Sequence, residues 1–117
     1  MTSHRLSRVN EQILTILAEA VRDEVRDPRV QGLITLTGVR VTQDMDLARV
    51  YVSALGSEPE RVAAVKALNH AAPFLRRIVA QRAGLRHTPR LEFLADATME
   101  KGARVEKILK DLGDGDR

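Results

Sequence analysis

Residues 33–55 read LITLTGVRVTQDMDLARVYVSAL, and this stretch decides the fold class. Leu33 to Thr42 concentrates Thr, Val, Ile and Leu, residues that suit a pleated surface, and reads as a strand. Gln43-Asp44-Met45-Asp46 reads as a turn, with aspartates able to bond their own backbone. Leu47 to Leu55 then alternates, with Ala48, Val50, Val52 and Ala54 on one face and Arg49, Tyr51 and Ser53 on the other. The short connection makes the two strands a hairpin, and Gly56 ends it.

Helical patterns flank the hairpin. Upstream, from about Arg5 to Arg26, Val9, Ile13, Ile16, Leu17, Ala20 and Val21 recur at three and four, the stripe of a long amphipathic helix. Ser3 or Ser7 can cap its start. Asp27-Pro28 stops it, because the residue before proline avoids the helical region, and Arg29 to Gly32 is a loop. Downstream, Ser57 and Glu60 form a capping box with Pro59 in the first turn. A helix runs from there to about Ala71, with Val62, Val65 and Leu68 expected inward. Phe74, Leu75, Ile78 and Val79 continue an apolar stripe beyond Pro73. An interior proline costs roughly 3 kcal/mol in a straight helix. Two helices meeting at a bend, Ala71-Ala72-Pro73, are therefore expected, with Gly84 closing the second. Leu91 to Ala95, after Thr88-Pro89, reads as a third strand, and Thr98 can cap a last helix carrying Val105, Ile108, Leu109 and Leu112.

The expected architecture is α+β, a three-stranded sheet with helices on one face. A chain of 117 residues has room for one core. A single domain over residues 1–112 is expected, followed by a disordered tail over 113–117.

Composition excludes several function classes. With no cysteine there is no disulfide framework and no thiolate chemistry. His4, His70 and His87 are scattered and have no partner at metal-ligand spacing, so no metal site is expected. Asp44 and Asp46 form a carboxylate pair, but one that a turn explains. No Walker loop, dinucleotide fingerprint or nucleophile elbow is present. No enzyme activity, cofactor or small-molecule substrate is therefore expected. No apolar run is long enough to span a bilayer, and Met1 to Arg5 leads directly into the amphipathic pattern. A cytoplasmic protein is expected.

The net charge of +3 decides little by itself. The basic excess is almost all arginine, whose planar fork grips phosphate through paired hydrogen bonds. A GC-rich genome would also favour arginine over lysine, but it would not dictate where the arginines fall. Arg76 and Arg77 lie one turn past the bend, Arg82 about a turn further, and Arg86, His87 and Arg90 lead to the third strand. Arg5 and Arg8 head the first helix, and Arg22, Arg26 and Arg29 surround its end. No acidic residue lies between Arg61 and Glu92, a local charge pattern that suits phosphate. Tyr51, Phe74 and Phe93 are the only aromatics, and both phenylalanines fall on apolar faces. No exposed stacking platform is expected, so recognition should run through phosphates, sugars and shape. A DNA-binding nucleoid or regulatory protein and an arginine-rich protein-interaction module remain as alternatives to an RNA binder.

The element order resembles a type II KH domain. The residues are closer still to the ribosome-binding factor A family. The resemblance is carried by Arg5 and Arg8, Asp27-Pro28-Arg29, Val39, Asp44 and Ala48-Arg49-Val50-Tyr51-Val52-Ser53 closing on Leu55-Gly56. It continues through Leu68, Phe74-Leu75-Arg76, Leu85-Arg86, Thr88-Pro89, Leu91-Glu92-Phe93 and Asp96, and spans about residues 5 to 112. Ordinary KH domains clamp nucleotide backbone with a Gly-x-x-Gly loop, and this chain has no pair of glycines at that spacing. The family replaces that loop by a kink, usually Ala-x-Gly, where this chain has Ala71-Ala72-Pro73. Proline keeps the bend, stiffens it and removes one N–H, so side chains must do more of the gripping.

The resemblance implies a monomeric assembly factor that binds the maturing 30S subunit through 16S rRNA. It further implies help with late maturation and 16S 5′-end processing, with a particular part in cold adaptation. The implied RNA-binding residues are Arg5, Arg8, Arg29, Ala71, Ala72, Pro73, Arg76, Arg77, Arg82, Arg86, His87 and Arg90. With about five phosphates engaged, log affinity should fall against log salt with a slope of roughly −3.5 to −4.5.

Overall fold

The hairpin forms where the sequence places it, and a third strand joins it from the far end of the chain. The structure, a computed structural model, describes residues 4–30 and 34–96. The expected strand start at Leu33, the cap at Ser3, the last helix from Thr98 and the tail over 113–117 lie outside the described residues. The elements run α1 (His4–Glu24), β1 (Ile34–Val41), β2 (Leu47–Ala54), α2 (Glu58–His70), α3 (Ala72–Ala83) and β3 (Arg90–Ala95).

β1 and β2 pair antiparallel from Ile34↔Ala54 to Val41↔Ala48, with a bulge between Leu36 and Gly38. β3 lies parallel to β2, from Leu47↔Arg90 to Val52↔Ala95, so β2 is central and the sheet is mixed. A parallel neighbour needs a long crossover, and α2 and α3 supply it. The alternation read in β2 holds. Ala48, Val50 and Val52 are buried, and Val39 and Val41 of β1 and Leu91 and Phe93 of β3 join them on the same face.

α1 lays Val9, Ile13, Ile16, Leu17, Ala20 and Val21 against that face, the stripe expected from its spacing. It ends at Glu24, before the proline, and the chain turns as the Val30 N–H donates to the Asp27 carbonyl. Ser57 and Glu60 form the capping box of α2 in both directions. The buried face of α2 is Ala64, Ala67 and Leu68, whereas Val62 is 58% exposed. The expectation that Val62 points inward is corrected here. Val62 lies two residues before Ala64, about 200° round the helix, and the alanine face lets α2 lie close over β3.

Both outer strands present open backbone edges, and a helix asparagine closes part of each. Asn10 of α1 accepts the Val41 N–H at 2.8 Å. Asn69 of α2 accepts the Phe93 N–H at 2.8 Å and donates to the Phe93 carbonyl at 2.9 Å, mimicking a neighbouring strand. This second pair also fixes the end of α2, and with it the bend, against the middle of β3.

Candidate nucleic-acid interface

The bend is a single residue wide. Ala71 caps α2 and starts α3, with φ −83° and ψ −3°. Its N–H donates to Ala67 O at 3.0 Å, and its carbonyl accepts the Leu75 N–H at 3.0 Å. Pro73 falls in the first turn of α3, where a missing N–H interrupts no ladder. That turn carries no acidic residue and no side-chain cap. Gly84 ends α3 in the left-handed region at φ 65°.

The arginines behind the bend divide by what they touch. Leu75, Ile78 and Val79 form the buried face of α3. Arg76 and Phe74 lie about 100° to either side of Leu75. Arg76 is half-buried, and its Nε and Nη2 donate to the Thr88 carbonyl at 3.2 and 2.7 Å. This fork ties α3 to the segment that presents Arg86, His87 and Arg90. Arg77 is exposed, with its guanidinium 6.0 Å from the Phe74 ring centroid. Phe74 itself is 37% exposed, which corrects the expectation that it belongs to the core. Phe93 does belong to the core, fully buried. One exposed ring beside an arginine and the bend is able to stack a base, a contact worth about 1–3 kcal/mol per base.

Arg82 stands 3.8 Å from Glu24, both half-exposed, a separation at which the pair holds each other loosely. Arg86 and Arg90 are exposed and have no ion-pair partner among the described residues. His87 Nε2 lies 3.0 Å from Asp46 Oδ1, and the Arg90 N–H donates to the Asp46 carbonyl at 2.9 Å. The 86–90 loop is thereby fastened to the hairpin turn. That turn is built by Asp44, whose Oδ1 accepts from Thr42 Oγ1 and the Asp46 N–H. These bonds hold its carboxyl below the ordinary carboxylate range. The start of α1 sits at the same end of the molecule. Leu6, Ser7 and Asn10 share a cleft of about 390 Å³ with Arg40, Val41 and Gln43. Arg5 and Arg8, exposed beside that cleft, thus stand at the end where Arg86, His87 and Arg90 gather.

Arg29 is placed differently. Its guanidinium and backbone N–H both bind the Asp27 carboxylate, with Nη2 to Oδ2 at 2.6 Å. The side-chain bonds first, and the backbone bond next, hold Asp27 down at about 2, with a smaller contribution from the nearby His70.

The structure therefore brings the twelve expected residues into three settings. Ala71, Ala72, Pro73 and Arg77 frame the bend, while Arg5, Arg8, Arg86, His87 and Arg90 gather at the hairpin end. Arg29, Arg76 and Arg82 are each engaged by groups of the protein itself. Phe74 was missed because its i,i+4 relation to Ile78 mimics a core position. Among the described residues no group of three metal-ligating side chains occurs. The cleft of about 550 Å³ between α1 and β1 is lined largely by Val21, Val30, Ile34 and Leu36, with Arg22 and Thr35 as its polar lining among the described residues. No described helix is long and apolar enough to cross a membrane.

The family model described as ribosome-binding factor A matches residues 5–109. The chain belongs to this family. It is 38% identical over 107 residues to the ribosome-binding factor A of Acetivibrio thermocellus, covering 92% of this chain and 87% of the relative. The crystal structure of ribosome-binding factor A from Thermus thermophilus superposes with a TM-score of 0.68 at 34% identity, covering 77% of this chain and 94% of that one. A second Thermus thermophilus structure of the family, a homology model fitted into a cryo-EM map of a 30S complex, gives a TM-score of 0.63 at 33% identity. It covers 82% of this chain and 96% of its own. The α+β architecture is thus that of ribosome-binding factor A, and the chain is a ribosome-binding factor by family.

Proposed function

We propose that this protein is a non-enzymatic assembly factor of the small ribosomal subunit. It binds the maturing 30S particle through 16S rRNA, assists late maturation including processing of the 16S 5′ end, and leaves the finished subunit. It acts in the cytoplasm as a monomer, and its contribution is greatest in the cold. The observation that carries this reading is the acid-free segment from the bend to the start of β3, in a chain whose family includes a protein fitted into a 30S complex.

Arg77, Arg86 and Arg90 offer exposed forks for phosphates, Phe74 offers a ring for a base, and the α3 N-terminus adds its dipole. Arg5 and Arg8 extend the contact at the hairpin end. Arg76 and His87 act as positioning residues that hold the 86–90 loop. Binding of this kind favours one rRNA conformation over its competitors in proportion to the difference in affinity. Sucrose-gradient analysis of a deletion strain tests the proposal. Immature small subunits carrying unprocessed 16S 5′ ends should accumulate, most strongly at low temperature. A normal profile there overturns the maturation role.

A further inference from the structure

Two arginines outside the acid-free run face each other across the sheet. Arg40 of β1 is the direct register partner of Arg49 of β2, and both are exposed on the face that the described helices leave uncovered. On β3 the partner of Arg49 is Glu92, and the diagonal neighbour is Arg90. Like charges placed directly opposite are destabilising unless something compensates them. Among the described residues nothing does. Neither Arg40 nor Arg49 has an ion-pair or hydrogen-bond partner among the described residues, and Glu92, although adjacent by register, does not close on Arg49. Asp96, the other acid at this sheet, accepts a hydrogen bond from Thr37 Oγ1 at 2.6 Å.

The surroundings suit a nucleotide backbone. Tyr51 follows Arg49 by two residues on the same face and is half-buried, with Gly38 as its cross-strand partner. A side chain built on Gly38 would meet nothing within 4 Å, so the space beside Tyr51 is open. Arg40 also borders the cleft that Ser7, Asn10 and Gln43 line at the start of α1. The arginine pair lies near the hairpin end of the ladder, one register pair before Val41↔Ala48, so with Arg90 of β3 it puts positive charge across all three strands at that end.

We infer that the uncovered sheet face is a second RNA-contact surface, with Arg40, Arg49 and Arg90 taking phosphates and Tyr51 lying against a sugar or base. The inference rests on the proposal that the chain binds small-subunit rRNA. It extends the contact round the Arg86–Arg90 edge, from the helical side onto the sheet.

The test compares wild type with Arg40→Gln/Arg49→Gln and with Arg77→Gln/Arg86→Gln. Each is titrated against purified small subunits and against deproteinised 16S rRNA at several salt concentrations. The sheet-face variant should bind both targets more weakly, and its salt slope should shrink by about 1.4–1.8, the loss of two phosphate contacts. Its melting temperature should equal or exceed that of wild type, because an opposed cation pair has been removed. Wild-type affinity and slope in that variant, with weakened binding in Arg77→Gln/Arg86→Gln, would overturn the sheet surface and leave the proposed function standing. Loss on subunits without loss on bare rRNA would assign the face to a ribosomal protein and overturn the RNA contact. Failure of wild type to bind either target would overturn both.

Discussion

The two ends of the helical layer use arginine in opposite ways. Around the end of α1 each engaged arginine meets a carboxylate supplied by its own neighbourhood. Arg22 bonds Asp23 at 3.0 Å, and Arg29 bonds Asp27 through both its guanidinium and its backbone. From the bend to β3 no carboxylate lies within the segment. There Arg76 turns to a backbone carbonyl, Arg82 to a distant Glu24, and Arg77, Arg86 and Arg90 to no acid among the described residues. A guanidinium that already holds a carboxylate must release it before it takes a phosphate, so the second region offers more uncompensated charge to a polyanion than the first, where Arg26 is the exposed arginine without an ion pair among the described residues. Counting arginines does not separate the regions; the spacing of acids does.

The largest effect that would sharpen this contrast is charge reversal at the exposed arginines. Arg77→Glu with Arg86→Glu should weaken small-subunit binding by tenfold or more and reduce the salt slope by about 1.4–1.8. Arg22→Glu with Arg29→Glu should change binding far less. Co-sedimentation at two salt concentrations reads both. Equal losses from the two pairs would erase the distinction between the regions.

Next in size is Arg76. Reversing Arg76 and Arg77 together would mix two roles, because Arg76 holds the Thr88 carbonyl whereas Arg77 faces solvent. Arg76→Met keeps the aliphatic stem and removes both donors. It should cost about 1–2 kcal/mol of stability and loosen the 86–90 loop, seen as a lower melting temperature and faster amide exchange from Arg86 to Arg90. Binding should then recover partly at lower temperature, as the loop regains its place. A variant as stable as wild type that nevertheless fails to bind would make Arg76 a direct RNA contact.

Arg76 also shows how far the sequence carried. The hairpin, the stripe of α1, the capping box and the bend were all legible, because each is written within a few neighbouring residues. What the sequence did not show depends on partners far along the chain. The clasp of Asn69 on Phe93 spans 24 residues, and that of Asn10 on Val41 spans 31. The parallel pairing of β3 with β2 is likewise a tertiary choice. Two misplacements have a local cause. Val62, Val65 and Leu68 recur at three, but burial follows Ala64, Ala67 and Leu68. Phe74 stands four residues before Ile78, as a stripe residue would, but flanks the buried face. Arg40 and Arg49 were visible as strand residues, but their opposition depends on register, and the bulge after Leu36 sets that register.

The bend gives a smaller test. Pro73→Ala restores an N–H to the first turn of α3 while keeping a good helix former. The folded backbone already accepts proline there, so the change should cost only about 0.4–1 kcal/mol, through a freer unfolded chain. Affinity should stay within about twofold of wild type if side chains carry the contact, and each factor of ten corresponds to about 1.4 kcal/mol. A large gain in affinity would mean that backbone amides at the bend bind RNA, and that the proline had removed a real contact.

The smallest expected effect lies at the other end, in Asp27. Its carboxyl is held at about 2 by Arg29, below the roughly 3.9 of an unfolded chain. A group whose folded value is depressed stabilises the fold above its unfolded value, and that contribution fades as pH falls through the folded one. Asp27→Asn retains a carbonyl oxygen that accepts the Arg29 N–H but removes the charge. The variant should therefore melt slightly below wild type at pH 6, and the gap should close as pH is lowered from about 4 towards 2. Thermal melts at pH 6, 4 and 3 read the difference. A gap unchanged at pH 3 would mean that Asp27 acts through turn geometry rather than charge. The arginine beside it would then be less neutralised than its distances indicate, and the contrast between the two regions would narrow.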